Sequence, residues 1–197
     1  MSVKSKNNNK NKKMIISFGI VIVLPLLLWI GWGTYTITST QRPAYDLEQR
    51  LAPNVEIRQY GAQSWIATDY SDDSSSFRVL ASYIFGGNQD GQKVAMTAPV
   101  ITDEKMVFIL PGGITSENAP EPNGQAIDFT EVPPRKLATL KFGWTTPEGR
   151  VERKTAELLA LLERNGIRTQ GRPFLMRYND PWTPPFMRRN EVAIEVQ

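Results

Sequence analysis

The sequence of 197 residues contains no cysteine and no histidine. Structural zinc sites take their ligands from these two residue types, so a structural zinc site is not expected. Neither a Ser-His-Asp triad nor a Cys-His pair can operate in this chain. No disulfide can form, and cysteine usage therefore gives no information about the redox compartment. The sequence also lacks a glycine-rich phosphate loop, a paired-carboxylate signature and a metal-ligand spacing.

Acidic residues are absent from residues 1–13, which contain five lysines at positions 4, 6, 10, 12 and 13. Removing these five charges from the total of +3 leaves −2 for the rest of the chain. The net charge therefore reflects this tail, and no basic surface for nucleic acid follows from it. We expect residues 1–13 to be a solvated polar tail.

Charged side chains are also absent from residues 14–33, which are apolar almost throughout. About 20 such residues span a bilayer as a helix. Trp29, Trp32 and Tyr35 at the far end favour the membrane interface. A cleaved signal peptide is the alternative, but the apolar run is longer than the usual signal core and no clear cleavage site follows it. We expect an uncleaved signal-anchor helix, with residues 1–13 in the cytoplasm and the C-terminal domain outside it, which is the periplasm if the cell is Gram-negative.

The remaining pattern predicts a linker over residues 34–53 and one folded domain over residues 54–197. Each half of the domain has the order strand, strand, helix, strand, strand, which indicates an internal ββαββ repeat. We predict an α+β fold, with a curved antiparallel sheet or distorted β-barrel and two helices packed on it. The predicted strands cover residues 55–60, 64–70, 94–102, 106–110, 127–129, 136–144, 173–178 and 190–196.

The first predicted helix and the strand after it suggest a pocket. Phe77, Leu80 and Ile84 recur at helical spacing, and Asp72, Asp73 and Ser74 are candidate N-caps. The glycine pair at residues 86–87 ends the helix, since glycine accepts the left-handed conformation that a helix end often needs. The apolar strand over residues 94–102 follows. The helix and the strand could form the wall and the floor of a pocket.

Two residues of this region allow two interpretations each. Met96 lies on an apolar strand face, where methionine usually fills the core, although it could instead contact a flat ligand. Arg78 is expected to be solvated or to extend along the apolar surface towards water. The alternative for Arg78 is an ion pair with a ligand carboxylate.

A proline-rich loop over residues 179–187 contains Trp182 and Phe186 and precedes Arg188 and Arg189. The prolines could simply stiffen a hairpin loop whose aromatic residues pack on a neighbour. The loop could also be an apolar cover with a basic rim, suited to a flat apolar ligand with acidic groups. Arg188, Arg189 and Glu191 could otherwise form surface ion pairs of little energetic value.

Three separated pieces of the sequence resemble the SOUL haem-binding family. They are Val55-Glu-Ile-Arg-Gln-Tyr60, Tyr83–Asn88 with Met96-Thr-Ala-Pro-Val100, and Tyr178–Pro185 with Arg188-Arg-Asn-Glu-Val192. Their order and spacing cover about residues 45–197. The resemblance implies a distorted β-barrel with two helices, built from a repeat. It also implies tetrapyrrole binding in a shallow apolar cleft between residues 74–85 and 179–187.

The resemblance implies haem or porphyrin as the cofactor. A histidine axial ligand cannot exist here, so a haem iron would be held by Met, Tyr or Lys, or by no protein ligand. Some relatives bind porphyrin through apolar contacts, and that variant suits this sequence. The predicted pocket consists of Phe77, Leu80, Tyr83, Ile84, Met96, Trp182 and Phe186, with Arg78, Arg188 or Arg189 facing the propionates.

The sequence thus predicts a membrane-anchored, non-catalytic tetrapyrrole-binding protein with no catalytic or metal-ligating residues. Its expected partners are the ligand and, through residues 14–33, the membrane; nucleic acid is not expected, and a protein partner stays open. The alternative is an extracytoplasmic scaffold or sensor module that binds a protein or another small ligand. A pigment-modifying hydrolase is a third hypothesis, but without histidine it lacks the usual base for a serine nucleophile.

Overall fold

The structure, a computed structural model, describes residues 23–197. Nine antiparallel strands form one curled sheet, a half-barrel, and three helices accompany it. The helices are α1 (residues 23–39), α2 (Asp73–Ile84) and α3 (Glu148–Arg164), and a short 3-10 turn covers Pro185–Met187. The strands are β1 (Tyr45–Ala52), β2 (Val55–Tyr60), β3 (Gln63–Asp69), β4 (Val100–Thr102), β5 (Lys105–Ile109), β6 (Asp128–Val132), β7 (Arg135–Gly143), β8 (Thr169–Arg177) and β9 (Arg189–Val196).

The order strand, strand, helix, strand, strand occurs twice, as β2-β3-α2-β4-β5 and as β6-β7-α3-β8-β9. The strand order in the sheet is β1-β2-β7-β9-β8-β4-β5-β3-β6. When each strand of one half is exchanged for its counterpart in the other, the order from β2 to β6 reads the same in reverse. The halves therefore meet at the β4–β8 pair, and each helix packs beside the sheet strands of its own half.

The structure differs from the predicted linker at residues 34–53. Helix α1 continues to residue 39, and β1 pairs with β2 from Tyr45 opposite Tyr60 to Ala52 opposite Val55. Strand β1 is an edge strand with bulges and mostly exposed side chains, so it shows no apolar alternation in the sequence. Pairing with β2, rather than burial of its own side chains, makes this segment a strand.

The predicted strand over residues 94–102 is also shorter in the structure, where only Val100–Thr102 forms β4. Pro99 has no N–H for a sheet ladder. The residues before it are held by single contacts instead: the Val94 N–H donates to the Ile84 carbonyl at 2.8 Å, and the Thr97 hydroxyl donates to the Ile109 carbonyl at 2.5 Å. This irregular stretch lies beside α2 and becomes part of the site described below.

Both ends of α2 follow from local chemistry, as predicted. One carboxylate oxygen of Asp72 accepts the N–H groups of Ser74 and Ser75, each at 2.9 Å. At the other end Gly86 has a φ of +100°, which favours glycine. A Cβ on the next residue, Gly87, would lie 2.6 Å from the Ser82 carbonyl oxygen, so only glycine fits where the chain turns back.

The core is divided between the two helices. Helix α2 buries Leu80, Tyr83 and Ile84 against residues of β3 and β5. Helix α3 buries Leu158 and Leu162 against β7 and β9. Each fully buried aliphatic side chain of this kind contributes about 1.5–3 kcal/mol relative to an exposed one. Burial of this face of α2 determines the direction in which its neighbouring face points.

A charged network lies inside the sheet. Glu191 of β9 is completely buried, and Arg58 of β2 donates two hydrogen bonds to its carboxylate, at 2.8 and 3.1 Å. Arg189 donates at 2.6 Å, and the Tyr178 hydroxyl donates at 2.8 Å. Arg189 and Glu191 therefore do pair, as one of the two interpretations allowed, but inside the sheet and not at the surface. The partners of Glu191 lie on three different strands or strand ends, and the sequence does not show that they converge.

The charges in this network shift each other's protonation. Burial alone would raise the pKa of Glu191, but the hydrogen bonds and charge of Arg58, together with Arg189, hold that pKa below its usual value. Burial, with the negative charge of Glu191 beside it, raises the pKa of Tyr178 well above its usual value. The carboxylate is therefore ionised and the phenol is protonated at neutral pH.

The predicted membrane-spanning segment falls only partly within the described residues, since residues 14–22 and the lysine-rich tail lie outside them. Within residues 23–197, no helix combines the length and apolar character that crossing a membrane requires.

Candidate functional site

A cleft of about 690 Å³ lies between α2 and the proline-rich loop of residues 179–187. The irregular stretch at residues 96–98 and β4 form its floor, and the C-terminal turns of α1 close one side. The lining is mostly apolar, with Phe77, Met96 and Trp182 among its largest side chains. This space between α2 and the proline-rich loop is called the cleft below.

One face of α2 forms the wall of the cleft. Phe77, Ala81 and Phe85, spaced four residues apart, line it together with Arg78. Phe77 also packs on Phe108 of the sheet, with ring centroids 5.3 Å apart. A spacing of four residues places side chains on one helix face, so the sequence also contains this stripe beside that of Leu80 and Ile84.

The other face of α2 carries three of the predicted pocket residues. Leu80, Tyr83 and Ile84 lie in the core between α2 and the sheet, behind the cleft wall. The Tyr83 hydroxyl donates to the Pro120 carbonyl at 2.7 Å, which satisfies its polar end inside the protein. These residues hold the helix in place, while its neighbouring face meets the cleft.

The proline-rich loop is held in one conformation by its own polar groups. Asp180 accepts the N–H groups of Trp182 and Thr183 at 2.7 and 3.0 Å, and the Thr183 hydroxyl at 2.8 Å. Arg188 donates to the carbonyls of Thr183 and Pro181 at 2.8 and 2.6 Å. The loop backbone is therefore fixed, and it places Trp182, which is 77% exposed, at the rim of the cleft.

The other predicted residues near this loop lie elsewhere. Phe186 is exposed on the 3-10 turn and is not part of the cleft lining. Arg188 is engaged with loop carbonyls. Arg189 donates to Glu191, and its guanidinium lies 4.2 Å from the centre of the Tyr178 ring. Neither arginine borders the cleft, because each is used to hold the protein's own structure together.

The charges that do border the cleft are mostly paired. Arg177 donates to both carboxylate oxygens of Asp73, at 2.6 and 2.5 Å, and these hydrogen bonds lower the pKa of Asp73 despite the partial burial of the group. Asp180 is occupied by the loop, as described above. Arg78 has no ion-pair or hydrogen-bond partner within residues 23–197. It is thus the cationic side chain of the cleft that is available to an incoming acidic group.

The site also includes residues that the sequence did not suggest. Trp32 and Thr36 of α1, and Thr40 directly after it, line the cleft, although the sequence predicts an anchor and a linker here. Arg177 and Phe85 were missed as well. The spacing of Trp32 and Thr36 places them on one helix face, but a helix of membrane-spanning composition gives no signal that this face will meet a loop 147 to 153 residues later in the chain.

The cleft suits an apolar ring better than a protein-ligated metal. Within the described part of the chain no group of three or more His, Cys, Asp or Glu side chains could hold a metal ion. Tyr178 borders the cleft, but its hydroxyl proton is committed to Glu191. The thioethers of Met96 and Met106 are the soft donors in the lining. The residues present therefore fit the apolar faces of a macrocycle, with Arg78 for an acidic substituent.

A family model described as SOUL heme-binding protein matches residues 40–195, which is most of the chain. The match includes β1, the edge strand, as well as both helices of the repeat. No curated protein matches the chain.

Solved structures share the fold at low sequence identity. The C-terminal domain of EcmrR is 13% identical, with a TM-score of 0.52 over 78% of this chain and 98% of that one. EcmrR in a DNA complex is 14% identical, with a TM-score of 0.54 over 95% of this chain and 70% of that one. A hydrolase from Listeria innocua is 12% identical, with a TM-score of 0.50 over 73% of this chain and 92% of that one. At these identities the similarity establishes the fold alone.

Proposed function

The chain belongs to the SOUL heme-binding protein family, and we propose that it binds a tetrapyrrole, haem or porphyrin, in the cleft without altering it chemically. The observation that carries the proposal is the cleft itself, which is apolar, about 690 Å³ in volume and bordered by one arginine without a partner in residues 23–197. Small-molecule sites typically have volumes of roughly 300–1,000 Å³ and a few placed polar groups.

The proposal assigns a role to each cleft residue. Phe77 and Trp182 contact the ring faces, Met96 fills the floor, and Arg78 pairs with a propionate. A bound tetrapyrrole would supply a conjugated ring that absorbs visible light and, in haem, a redox-active iron. The chain's own contribution is to remove the ring from water and to fix its orientation through the acidic edge.

The direct experiment is a titration of the purified full chain in lipid nanodiscs with haemin and with protoporphyrin IX, corrected for empty nanodiscs. We expect a saturable change in the Soret band at about one ligand per chain and at roughly micromolar concentrations, which correspond to about 8 kcal/mol of binding free energy. If neither ligand gives a saturable change beyond that of empty nanodiscs, the proposed function is wrong.

A substitution of Arg78 tests whether this residue pairs with a carboxylate of the ligand. Replacing Arg78→Gln should weaken protoporphyrin IX binding about tenfold, because a hydrogen bond to a charged group contributes about 1.5–3 kcal/mol. Binding of the dimethyl ester, which lacks the carboxylates, should stay within about twofold. The control is Arg172→Gln, since Arg172 is an exposed arginine outside the cleft that pairs with Glu104. Equal losses for acid and ester would show that Arg78 does not meet a carboxylate.

We also infer that residues 14–33 anchor the protein in a membrane as a single, uncleaved pass. This is supported by the uncharged sequence of that segment, the preceding lysines, and the exposed apolar side chains of α1, among them Val23, Leu24, Leu27 and Leu28. Because lysines resist translocation, residues 1–13 stay in the cytoplasm and the domain lies on the other side.

The orientation is tested by fusing a reporter to the C-terminus. We expect activity from a reporter that works only outside the cytoplasm, and no activity from a reporter that works only inside the cytoplasm. The opposite pattern would refute the topology. Replacing the five lysines by glutamine should weaken the bias, whereas an unchanged orientation in that variant would show that tail charge does not set it.

A ligand sensor is the second candidate, and one observation favours it. Helix α1 is part of the cleft lining, so a ligand in the cleft contacts the segment that leads to the proposed anchor. A different small ligand or a protein would then occupy the site. Stoichiometric co-purification of a partner, with no pigment and no Soret change on titration, would favour this alternative over tetrapyrrole binding.

A further inference from the structure

Helix α1 is seated on the proline-rich loop by specific contacts. The indole N–H of Trp29 donates to the Trp182 carbonyl at 2.6 Å, and the hydroxyls of Thr36 and Thr183 lie 3.5 Å apart. Between these two contacts lies Gly33, which is buried. A Cβ on Gly33 would lie 2.8 Å from Cδ of Pro184, so the helix approaches the loop as closely as a glycine allows.

The chain is hydrogen-bonded to the domain directly after α1. Gln41, two residues beyond the helix, pairs with Thr97, and the Ala98 N–H donates to the Gln41 carbonyl at 2.8 Å. Thr97 and Ala98 are themselves in the cleft floor. The helix therefore enters the domain directly at the cleft and does not reach it through a flexible tether.

The position of the cleft follows from this arrangement. Trp32 and Thr36 of α1 line it, as does Thr40 directly after the helix, and α1 from Trp32 to its end at residue 39 is about 10 Å long at 1.5 Å per residue. Trp29 and Trp32 are the residues expected at the membrane interface. Trp32 and Trp182 are both largely exposed, so the rim of the cleft beside the helix is aromatic. Aromatic rings of this kind favour the boundary between lipid and water.

We infer that the C-terminal turns of α1 are a permanent wall of the cleft, so that the site opens at the membrane interface and takes its ligand from the bilayer. The ligand class is a planar amphiphile that dissolves in lipid with its acidic edge at the surface, where Arg78 meets it. This inference rests on the proposed tetrapyrrole binding and membrane anchor, and adds to them the route of entry and the part played by α1.

The contact between α1 and the proline-rich loop can be tested without any ligand. The chain has no native cysteine, so any disulfide that the Thr36→Cys/Thr183→Cys pair forms within one chain must join the helix to the loop; disulfides between chains are recognised as dimers by electrophoresis. Mild oxidation of this variant in nanodiscs should give nearly complete cross-linking. The Thr34→Cys/Thr183→Cys pair is the control, since Thr34 is exposed and its hydroxyl bonds within the helix to Ile30. Equal cross-linking of the two pairs, or no cross-linking of the first pair, would contradict the inference that α1 forms a wall of the cleft.

The second test compares two glycines of the same helix. Gly33→Val should move α1 off the loop and weaken haemin binding about tenfold, the change expected for losing one wall of contacts. Gly31→Val adds the same side chain where a Cβ meets nothing within 4 Å, so haemin affinity should stay within about twofold. If both variants bind haemin as the wild-type chain does, α1 is not part of the site.

The route is tested by mixing protein in nanodiscs with donor vesicles that contain haemin. If haemin is transferred through contact between membranes, the rate of transfer rises with vesicle concentration. We expect this dependence. A rate independent of vesicle concentration would place the route through water and overturn the inference. If wild-type protein never takes up haemin, the proposed function fails, whereas the cross-linking result still decides separately whether α1 forms the wall.

Discussion

Replacing Glu191→Ala is expected to lower the free energy of unfolding by about 3–5 kcal/mol, the largest effect on stability that we anticipate for a single substitution in this protein. Glu191 is completely buried and accepts hydrogen bonds from Arg58, Arg189 and Tyr178. Arg58 is itself almost fully buried, so without the carboxylate its charge has lost its main partner inside the sheet. Urea unfolding of the full chain in mild detergent, followed by tryptophan fluorescence, measures the difference.

Glu195→Ala is the matched control, because Glu195 lies on the same strand, is partly exposed and has only a long contact of 3.9 Å to Arg135. Its loss should cost less than about 1 kcal/mol. The pH profile is a second readout of the same carboxylate. Since the folded pKa of Glu191 lies below its usual value of 4.5, its contribution is complete above about pH 4.5 and is lost as the pH falls through the folded pKa. The profile of Glu191→Gln should be flatter there, and equal losses in the two alanine variants would contradict this account.

The elements that local chemistry determines were predictable from the sequence. The apolar residues Val55, Ile57 and Tyr60 of strand β2 are all buried, and the polar residues Glu56 and Gln59 between them are less so, as the sequence predicts. Helix α2 begins at an aspartate cap and ends at a glycine pair, and both signals are visible in the sequence. These elements depend on neighbours a few residues away, so the printed sequence contains the information that fixes them.

What could not be predicted depends on residues that are distant in the sequence. The convergence of Arg58 and Glu191 joins strands β2 and β9, more than 130 residues apart, and no local pattern marks either residue as buried. The face of α2 that meets the cleft is a similar case. Leu80 and Ile84 form the stronger apolar stripe, so they face the core, and the weaker stripe of Phe77 and Phe85 is left for the cleft.

The residue for which we expect the largest effect on binding is Phe77, on the weaker stripe. Phe77→Glu would place a carboxylate on the apolar wall of the cleft, one helical turn after Asp73, where a bound ring would remove it from water. We expect haemin affinity to fall at least about 30-fold, which corresponds to about 2 kcal/mol. The measurement is the Soret titration of the full chain in nanodiscs.

Two further variants make the result specific to the cleft. Phe77→Leu keeps the wall apolar and should lose less than about fivefold, since the loss is limited to part of an aromatic contact. Trp144→Glu introduces the same charge at an exposed aromatic residue after β7, outside the cleft lining, and should leave the affinity within about twofold. Because circular dichroism reports whether each variant is folded, a folded Phe77→Glu protein that binds haemin as tightly as the wild type would show that the ligand does not lie against α2.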